Sequence, residues 1–335
     1  MEKNKAVDCP ACTFGIPQEG VRISWEITHR CNFNCKHCCV NAKPDLKEHY
    51  SLSAINRIMR DFHEAGVKKM YLTGGEPLMF EHIKPLMELG SKLDINMKIA
   101  TNGSSINRNV AKELKKYNIY SILVSIDSPS PVENNKFRGN DEAYIVAVKA
   151  INNLVRNGIK VKVSTVLWKG NIDKIEDMIL LSIALGAYKQ YFSWVIPVGR
   201  VEDNIDILVT NDEFKETRPK LIKLIDKYKD RIEIHVRRTE DLKISGKICP
   251  GADKLYHIDD KGFVYPCSWM AKADSQFKSK TSIIKNNIGE ILSNDLNLIK
   301  FRNFVKDYSS KYGPGCPAIV KLTEGCYNYR DELFE

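Results

Sequence analysis

The sequence predicts an α/β fold: a partial (β/α)6 TIM-like barrel with a small C-terminal domain attached. Three observations predict it. Strand-like and helix-like segments alternate six times between residues 23 and 230, and such alternation implies a parallel sheet with helices outside. Polar or glycine-rich motifs recur just after the strands, at Cys31–Cys38, Gly74–Pro77, Asn102–Gly103, Asp127 and Pro197–Arg200. In barrels that edge carries the active site. The alternation then stops near Arg231, and the remainder holds four spaced cysteines, Cys249, Cys267, Cys316 and Cys326. A small domain stapled by metal is the economical reading of such a stretch.

The elements follow in order. Residues 1–22 form an irregular N-terminal extension containing Pro10, Gly15, Pro17 and Gly20. Ile23–Thr28 is a strand that ends at a cysteine-rich loop. Ser51 caps a helix whose Ile55, Ile58, Met59 and Phe62 recur at helical spacing, and Gly66 closes it. Met70–Thr73, Met97–Thr101, Ser121–Asp127, Lys160–Leu167 and Tyr191–Ile196 are the next strands. Helices follow them through about Lys92, near Val110–Tyr117, from about Glu142 to Val155, near Ile172–Leu185 and from about Asp212 to Tyr228. The segment after Asp127 reads as a Pro-rich loop. The domains expected are thus 1–22, 23–230 and 231–335. In the last, Arg231–Val236 suggests a short strand. Lys254–Ile258 and Phe263–Tyr265 flank a hairpin turn, Ile288–Val305 reads as mostly helical, and Gly313 to Cys326 as loop.

Composition narrows the class. The chain has 335 residues, with 51 Lys and Arg against 42 Asp and Glu, a formal charge of +9. The basic residues are scattered, which reads as a solvated surface; the rival reading is a field that attracts an acidic partner. No secretion signal or membrane span is visible, so a cytoplasmic location is the default. Ten cysteines in a reducing compartment point to metal binding or catalysis rather than disulfides.

Cys31, Cys35 and Cys38 stand at C-x3-C-x2-C. Soft thiolates select zinc, copper or iron–sulfur centres, and three on one loop leave a metal position open where a structural zinc would want four. With Gly74-Gly75-Glu76-Pro77 after the second strand, the chain resembles the radical S-adenosylmethionine (radical SAM) enzymes. The resemblance implies that the triad ligates a 4Fe–4S cluster through three irons and that the fourth iron takes S-adenosylmethionine. Reductive cleavage then yields a 5′-deoxyadenosyl radical that abstracts hydrogen from a substrate. It also implies that Gly74, Gly75, Glu76 and Pro77 hold the amino group of the methionine moiety. Thr101-Asn102-Gly103, Ser125-Ile126-Asp127 and Lys136-Phe137-Arg138-Gly139 resemble pocket-lining segments. Ser125 and Arg138 are thereby candidates for S-adenosylmethionine contact, Arg138 through the carboxylate, with Asn102 and Asp127 beside them. The other reading of each is a cap or turn.

The C-terminal cysteines resemble a SPASM domain shortened toward the Twitch type. That implies one auxiliary 4Fe–4S cluster on Cys249, Cys267, Cys316 and Cys326; a four-thiolate zinc site is the alternative. Cys39, directly after the triad, is either a hydrogen-atom donor to a substrate radical, as in epimerases, or a small buried filler. Cys9 and Cys12 are a half-site or exposed thiols. His235 and His257 read as structural, while His37 lies where relatives place residues near the adenine.

The reading is a radical SAM oxidoreductase that modifies a peptide or protein, by oxidative cross-linking, thioether formation or epimerisation. An electron donor such as flavodoxin or ferredoxin is implied. A peptide substrate would need another docking surface or a separate peptide-binding partner, and neither membrane nor nucleic acid is expected as a partner. A haem-type step in cofactor biosynthesis is the same-class alternative. A non-catalytic iron–sulfur or zinc protein is the different-class one.

Overall fold

A computed structural model of the chain describes residues 20–236, 249–312 and 316–324. Its first strand is β1 (Val21–Thr28), a run buried on both faces as central parallel strands are. Alternate side chains part company along it. Ile23, Trp25 and Ile27 enter the main apolar core, while Ser24 and Glu26 face an interior cavity. Trp25 lies edge-on to Tyr50 and Phe62 and donates Nε1–H to the Tyr50 hydroxyl at 2.9 Å. Phe62 belongs to α1 (Leu52–Glu64), whose N-cap Ser51 accepts from the Ala54 N–H. Full burial of each large apolar side chain on that face contributes about 1.5–3 kcal/mol.

The chain continues through β2 (Val67–Gly74), α2 (Ile83–Lys92), β3 (Asn96–Thr101), α3 (Arg108–Leu114) and β4 (Ile119–Ser125). Then come α4 (Pro131–Arg138), α5 (Ala143–Arg156), β5 (Val161–Leu167), α6 (Ile175–Ala184), β6 (Lys189–Trp194) and α7 (Asn211–Tyr228). β7 (Glu233–Val236), β8 (Leu255–Ile258) and β9 (Val264–Tyr265) precede α8 (Met270–Ala273), α9 (Ile288–Asn294), α10 (Leu296–Tyr312) and α11 (Pro317–Glu324).

The strand order is β7-β6-β5-β4-β3-β2-β1-β8-β9. Every neighbouring pair is parallel except β8–β9. The α/β class and the six β–α units stand as expected, and the sheet runs on past residue 230. β7 pairs with β6, and β8 pairs with β1. The interior-facing residues of β1 therefore gain a neighbour from the C-terminal part of the chain. Two stretches differ from expectation. The Pro-rich loop contains α4, with Pro131 in its first turn, Ser130 as N-cap and Gly139 left-handed at φ 59° as C-cap. The tail expected as loop contains α11. Neither helix has a long apolar stripe, so periodicity alone is silent about them. No helix among the described residues is long and apolar enough to cross a membrane.

Candidate functional site

The loop after β1 carries the three thiols. Cys31 and Cys35 are buried and Cys38 half-buried. They pack with Phe33, Ala42 and the first turn of α5, through Ala143 and Val146, in a small apolar cluster separate from the main core. Burial pushes the Cys31 thiol up and the Cys35 thiol up to about 12. Three neighbouring turns press on the backbone of this loop. A Cβ on Gly75 would stand 2.1 Å from the Arg30 carbonyl oxygen, one on Gly139 2.3 Å from that of Asn34, and one on Gly199 2.4 Å from that of Cys38. These close approaches explain why side-chain-free residues stand after β2, at the end of α4 and after β6. Arg200, next to the last glycine, donates Nη1–H to the Cys35 carbonyl at 3.1 Å, Nη2–H to the Ala42 carbonyl, and its own N–H to the Cys38 carbonyl.

Gly74-Gly75-Glu76-Pro77 is tied to the same loop. The Gly75 N–H donates to the Thr28 carbonyl at 2.7 Å and the Glu76 N–H to the Arg30 carbonyl at 2.8 Å. The Glu76 side chain is wholly buried. It accepts from the Thr101 hydroxyl and the Asn102 N–H, each at 2.7 Å, and from the Leu78 N–H at 3.2 Å. Burial raises its pKa against those donors. Glu76 thus ties the end of β2 to the end of β3. Asn102 then points its Nδ2–H group at the Cys31 sulfur, 3.8 Å away, and at Asn32 Oδ1, 2.9 Å away.

Asp127 and Arg138 form a buried ion pair at 2.6 Å. The other Asp127 oxygen accepts from the Val166 N–H at 2.8 Å, and its carbonyl from Asn171. Burial works against the Arg138 charge, but Cys35 and Asp127 outweigh it and keep the guanidinium protonated. The Lys36 N–H donates to the Phe137 carbonyl, so the end of α4 lies on the cysteine loop. There His37, Phe137 and Trp168 stack, with ring centroids 4.6 and 4.4 Å apart. Burial lowers His37 to about 4, with Asp127 opposing. Ser125 closes β4 half-buried, in register with Ser164. The structure therefore brings the cysteine loop, Gly74–Pro77, Asn102, Asp127 and Arg138 together at the C-terminal edge of the sheet.

Cys39 faces the barrel interior, where it lines a cavity of about 230 Å³ with Glu26, His257, Trp269 and Lys272. Its side chain is exposed, unlike the buried filler weighed in sequence, and the protein packed around it still pushes the thiol up to about 11. Glu26 Oε1 accepts from Lys272 Nζ at 3.0 Å and lies 3.3 Å from His257 Nε2. Its other oxygen meets His29 Nε2 at 2.8 Å. Burial opposes ionisation of Glu26, but His257 and Lys272 hold the carboxyl well below the usual range. Glu26 and Lys272 carry no motif that singles them out in sequence, whereas Arg200 closes the Pro197–Arg200 stretch noted after the sixth strand. Glu26 is signalled only by the inward phase of a strand whose outward phase is apolar. His257, expected to be structural, lines the cavity.

Three of the C-terminal cysteines, Cys249, Cys267 and Cys316, lie on segments that approach one region. The Ala252 N–H, three residues after Cys249, donates to the Pro266 carbonyl, just before Cys267. α11, which follows Cys316 directly, packs on α8, three residues after Cys267. Cys267 and Cys316 are buried and Cys249 is half-buried. Cys326, like Cys9 and Cys12, lies outside the described residues.

The first loop suits an iron–sulfur cluster. Among the described residues no group of three His, Cys, Asp or Glu is arranged to hold a metal ion. A cluster asks for a different arrangement, since each thiolate takes its own iron and the sulfurs stand around a cage. Soft donors are present, one receives an N–H from Asn102, and Arg138 Nε and His37 Nδ1 are buried beside them without an acceptor.

Comparison with known proteins adds to this. Residues 25–181 match the family described as the radical SAM superfamily. The chain is 26% identical over 195 residues to an AdoMet-dependent heme synthase of Oleidesulfovibrio alaskensis, covering 58% of this chain and 50% of that protein. It is 26% identical over 253 residues to the antilisterial bacteriocin subtilosin biosynthesis protein AlbA of Bacillus subtilis, covering 75% and 56%. The chain spans about half the length of the curated relatives it matches. Its fold is similar to that of Streptococcus suis SuiB in the structure bound to S-adenosylmethionine. The TM-score is 0.74 at 15% identity, covering 94% of this chain and 77% of that one.

Proposed function

Because the chain belongs, through residues 25–181, to the radical SAM superfamily, we propose that it abstracts hydrogen from a peptide or protein substrate in a post-translational modification. The family implies a 4Fe–4S cluster and S-adenosylmethionine, which when bound supply the electron and the carbon radical that such chemistry needs. Cys31, Cys35 and Cys38 would hold the cluster. Asn102 would donate to a cluster thiolate, and Arg138 offers its buried Nε–H toward a carboxylate. The backbone of Gly74–Gly75, fixed by Glu76, presents carbonyls for an ammonium group. Gly75, Gly139, Gly199 and Arg200 hold the loop rigid while this happens. Residues 231–335 would form the auxiliary domain, with one 4Fe–4S cluster on Cys249, Cys267, Cys316 and Cys326.

The cavity carries the reading. One part of its wall is Cys39, adjoining the triad, and another is Ser268 and Trp269, adjoining Cys267. A substrate group lodged there lies between the two proposed cluster sites, which favours an oxidative outcome such as a cross-link or thioether. Cys39 facing the cavity keeps epimerisation in view, with its thiol as hydrogen donor. At about 230 Å³ the space falls below the ~300–1,000 Å³ typical of pockets that bury a drug-sized ligand. It suits one side chain of a peptide better than a tetrapyrrole. AlbA is named for bacteriocin biosynthesis, and SuiB has been solved bound to precursor peptide SuiA. The matches to haem synthases favour a second reading, a haem-type step.

Anaerobic reconstitution tests the proposal. The expected result is iron and sulfide at about two clusters per chain, falling to one when the triad is changed to alanine. Reductant should then give 5′-deoxyadenosine from S-adenosylmethionine in the unaltered chain alone. Absence of 5′-deoxyadenosine from fully loaded protein refutes it. Cys39→Ala should keep that cleavage and lose an epimerised product; unchanged product yield would end the donor role.

A further inference from the structure

A second depression lies outside the barrel, between α5 and the Gly103–Asn107 loop that leads into α3, with a volume of about 420 Å³. Its upper end is Ser104 and Val146, its flank Lys149 and its lower end Arg156. The span from Val146 to Arg156 is ten helical steps, about 15 Å. The upper end touches the cysteine loop in two ways. Val146 packs in the apolar cluster of Cys31, Cys35 and Cys38. Ser104 Oγ is 3.0 Å from Asn32 Nδ2, and Asn32 in turn accepts from Asn102, which faces the Cys31 sulfur.

Bases dominate the exposed charge around this groove, with Asp141 and Glu142 standing just before the N-terminal end of α5. α5 contains no acidic residue between Ala143 and Arg156. On α3 the one acid, Glu113, is paired with Lys84 at 2.7 Å. Arg108, Lys112, Lys115, Lys149, Arg156 and Lys160 are all exposed around it. Elsewhere on the barrel the helices carry acids: α6 opens with Glu176 and Asp177, and α7 with Asp212 and Glu213. The overall excess of +9 is thus concentrated along the flank and lower end of the groove, with Asp141 and Glu142 toward its upper end.

We propose that this groove docks an acidic one-electron carrier, a flavin or iron–sulfur protein, and that the electron enters through the Ser104–Asn32–Val146 end. This rests on the reading of the triad as a redox cluster. The step is one electron from the carrier, oxidising it by one unit, onto the cluster of Cys31, Cys35 and Cys38, with no bond made or broken. A complementary patch raises the encounter rate by ten- to a thousandfold at low salt, and the effect fades as ionic strength rises.

The test uses the reconstituted full chain and a flavodoxin hydroquinone as probe. Carbodiimide coupling of flavodoxin carboxylates to lysines, mapped by peptide mass spectrometry, locates the face whether or not the cluster reduces. Links at Lys112, Lys115 or Lys149 support the proposal, and links confined to other faces overturn it. Stopped-flow reduction by flavodoxin should slow at least tenfold in Lys149→Glu/Arg156→Glu at low salt, while reduction by dithionite is unchanged. Equal flavodoxin rates in variant and parent, or a parent rate indifferent to salt, overturn it. Failure of the radical reading looks different: the links form at the groove, yet reduced protein yields no 5′-deoxyadenosine.

Discussion

Replacing Gly75 by alanine should destabilise the protein even with no cofactor bound. The added Cβ would lie 2.1 Å from the Arg30 carbonyl oxygen, and ordinary contact begins at 3.4 Å. The two backbones must therefore part by 3.4 − 2.1 = 1.3 Å. Gly75 N–H to Thr28 O and Glu76 N–H to Arg30 O, now 2.7 and 2.8 Å, would stretch to about 4 Å, beyond hydrogen-bond reach. Two lost bonds at ~0.5–1.5 kcal/mol each, with one buried group left unsatisfied, come to about 3 kcal/mol. At roughly 2–4 °C per kcal/mol the midpoint falls by about 6–12 °C. Scanning calorimetry of the metal-free protein measures this. A midpoint within about 2 °C of the parent would refute the idea that this contact holds the loop, leaving the glycine only a role toward a ligand.

Three further outcomes are expected. Asp127→Asn breaks a buried pair and should cost about 3–5 kcal/mol in urea unfolding; a cost under 1 kcal/mol would mean that Arg138 finds another partner. Asn102→Leu removes an N–H from the Cys31 sulfur, a bond worth about 1 kcal/mol. At 59 mV per tenfold that is roughly 40 mV, so the cluster potential should drop by that order in a redox titration, and an unchanged potential contradicts the contact. The folded pKa of Glu26 is depressed below 4.5, so its stabilisation is present above pH 4.5 and lost as pH falls through the folded value. Glu26→Gln should therefore lower the thermal midpoint at neutral pH, with the two curves converging in acid; a constant gap would contradict the sign.

The barrel was legible because its signals are local. β1 alternates, Ser51 caps, and glycines and cysteines end the strands. The residues that complete the site were harder to read because their partners are remote in sequence. Arg200 binds carbonyls of Cys35 and Ala42, and no spacing rule links them. Lys272 reaches Glu26 only because β8 returns to pair with β1. α4 hid because its single large buried apolar side chain is Phe137. Its signals were terminal ones, Ser130, Pro131 and Gly139, which a reading led by apolar periodicity passes over. Arg138, singled out by resemblance as a ligand contact, is held in the structure by Asp127, a partner the resemblance did not point to.

The three glycines that press on the cysteine loop also say something about timing. Gly75, Gly139 and Gly199 arrive from the ends of β2, α4 and β6, so the loop gains its last contacts only after segments far downstream of it have docked. Until the segment after β6 docks, the loop lacks the contacts that Gly199 and Arg200 make with Cys35, Cys38 and Ala42. Once Gly199 and Arg200 seat, the peptide units around Cys38 have no slack. If Cys31, Cys35 and Cys38 hold the proposed cluster, its insertion would compete with the docking of residues more than 150 positions downstream.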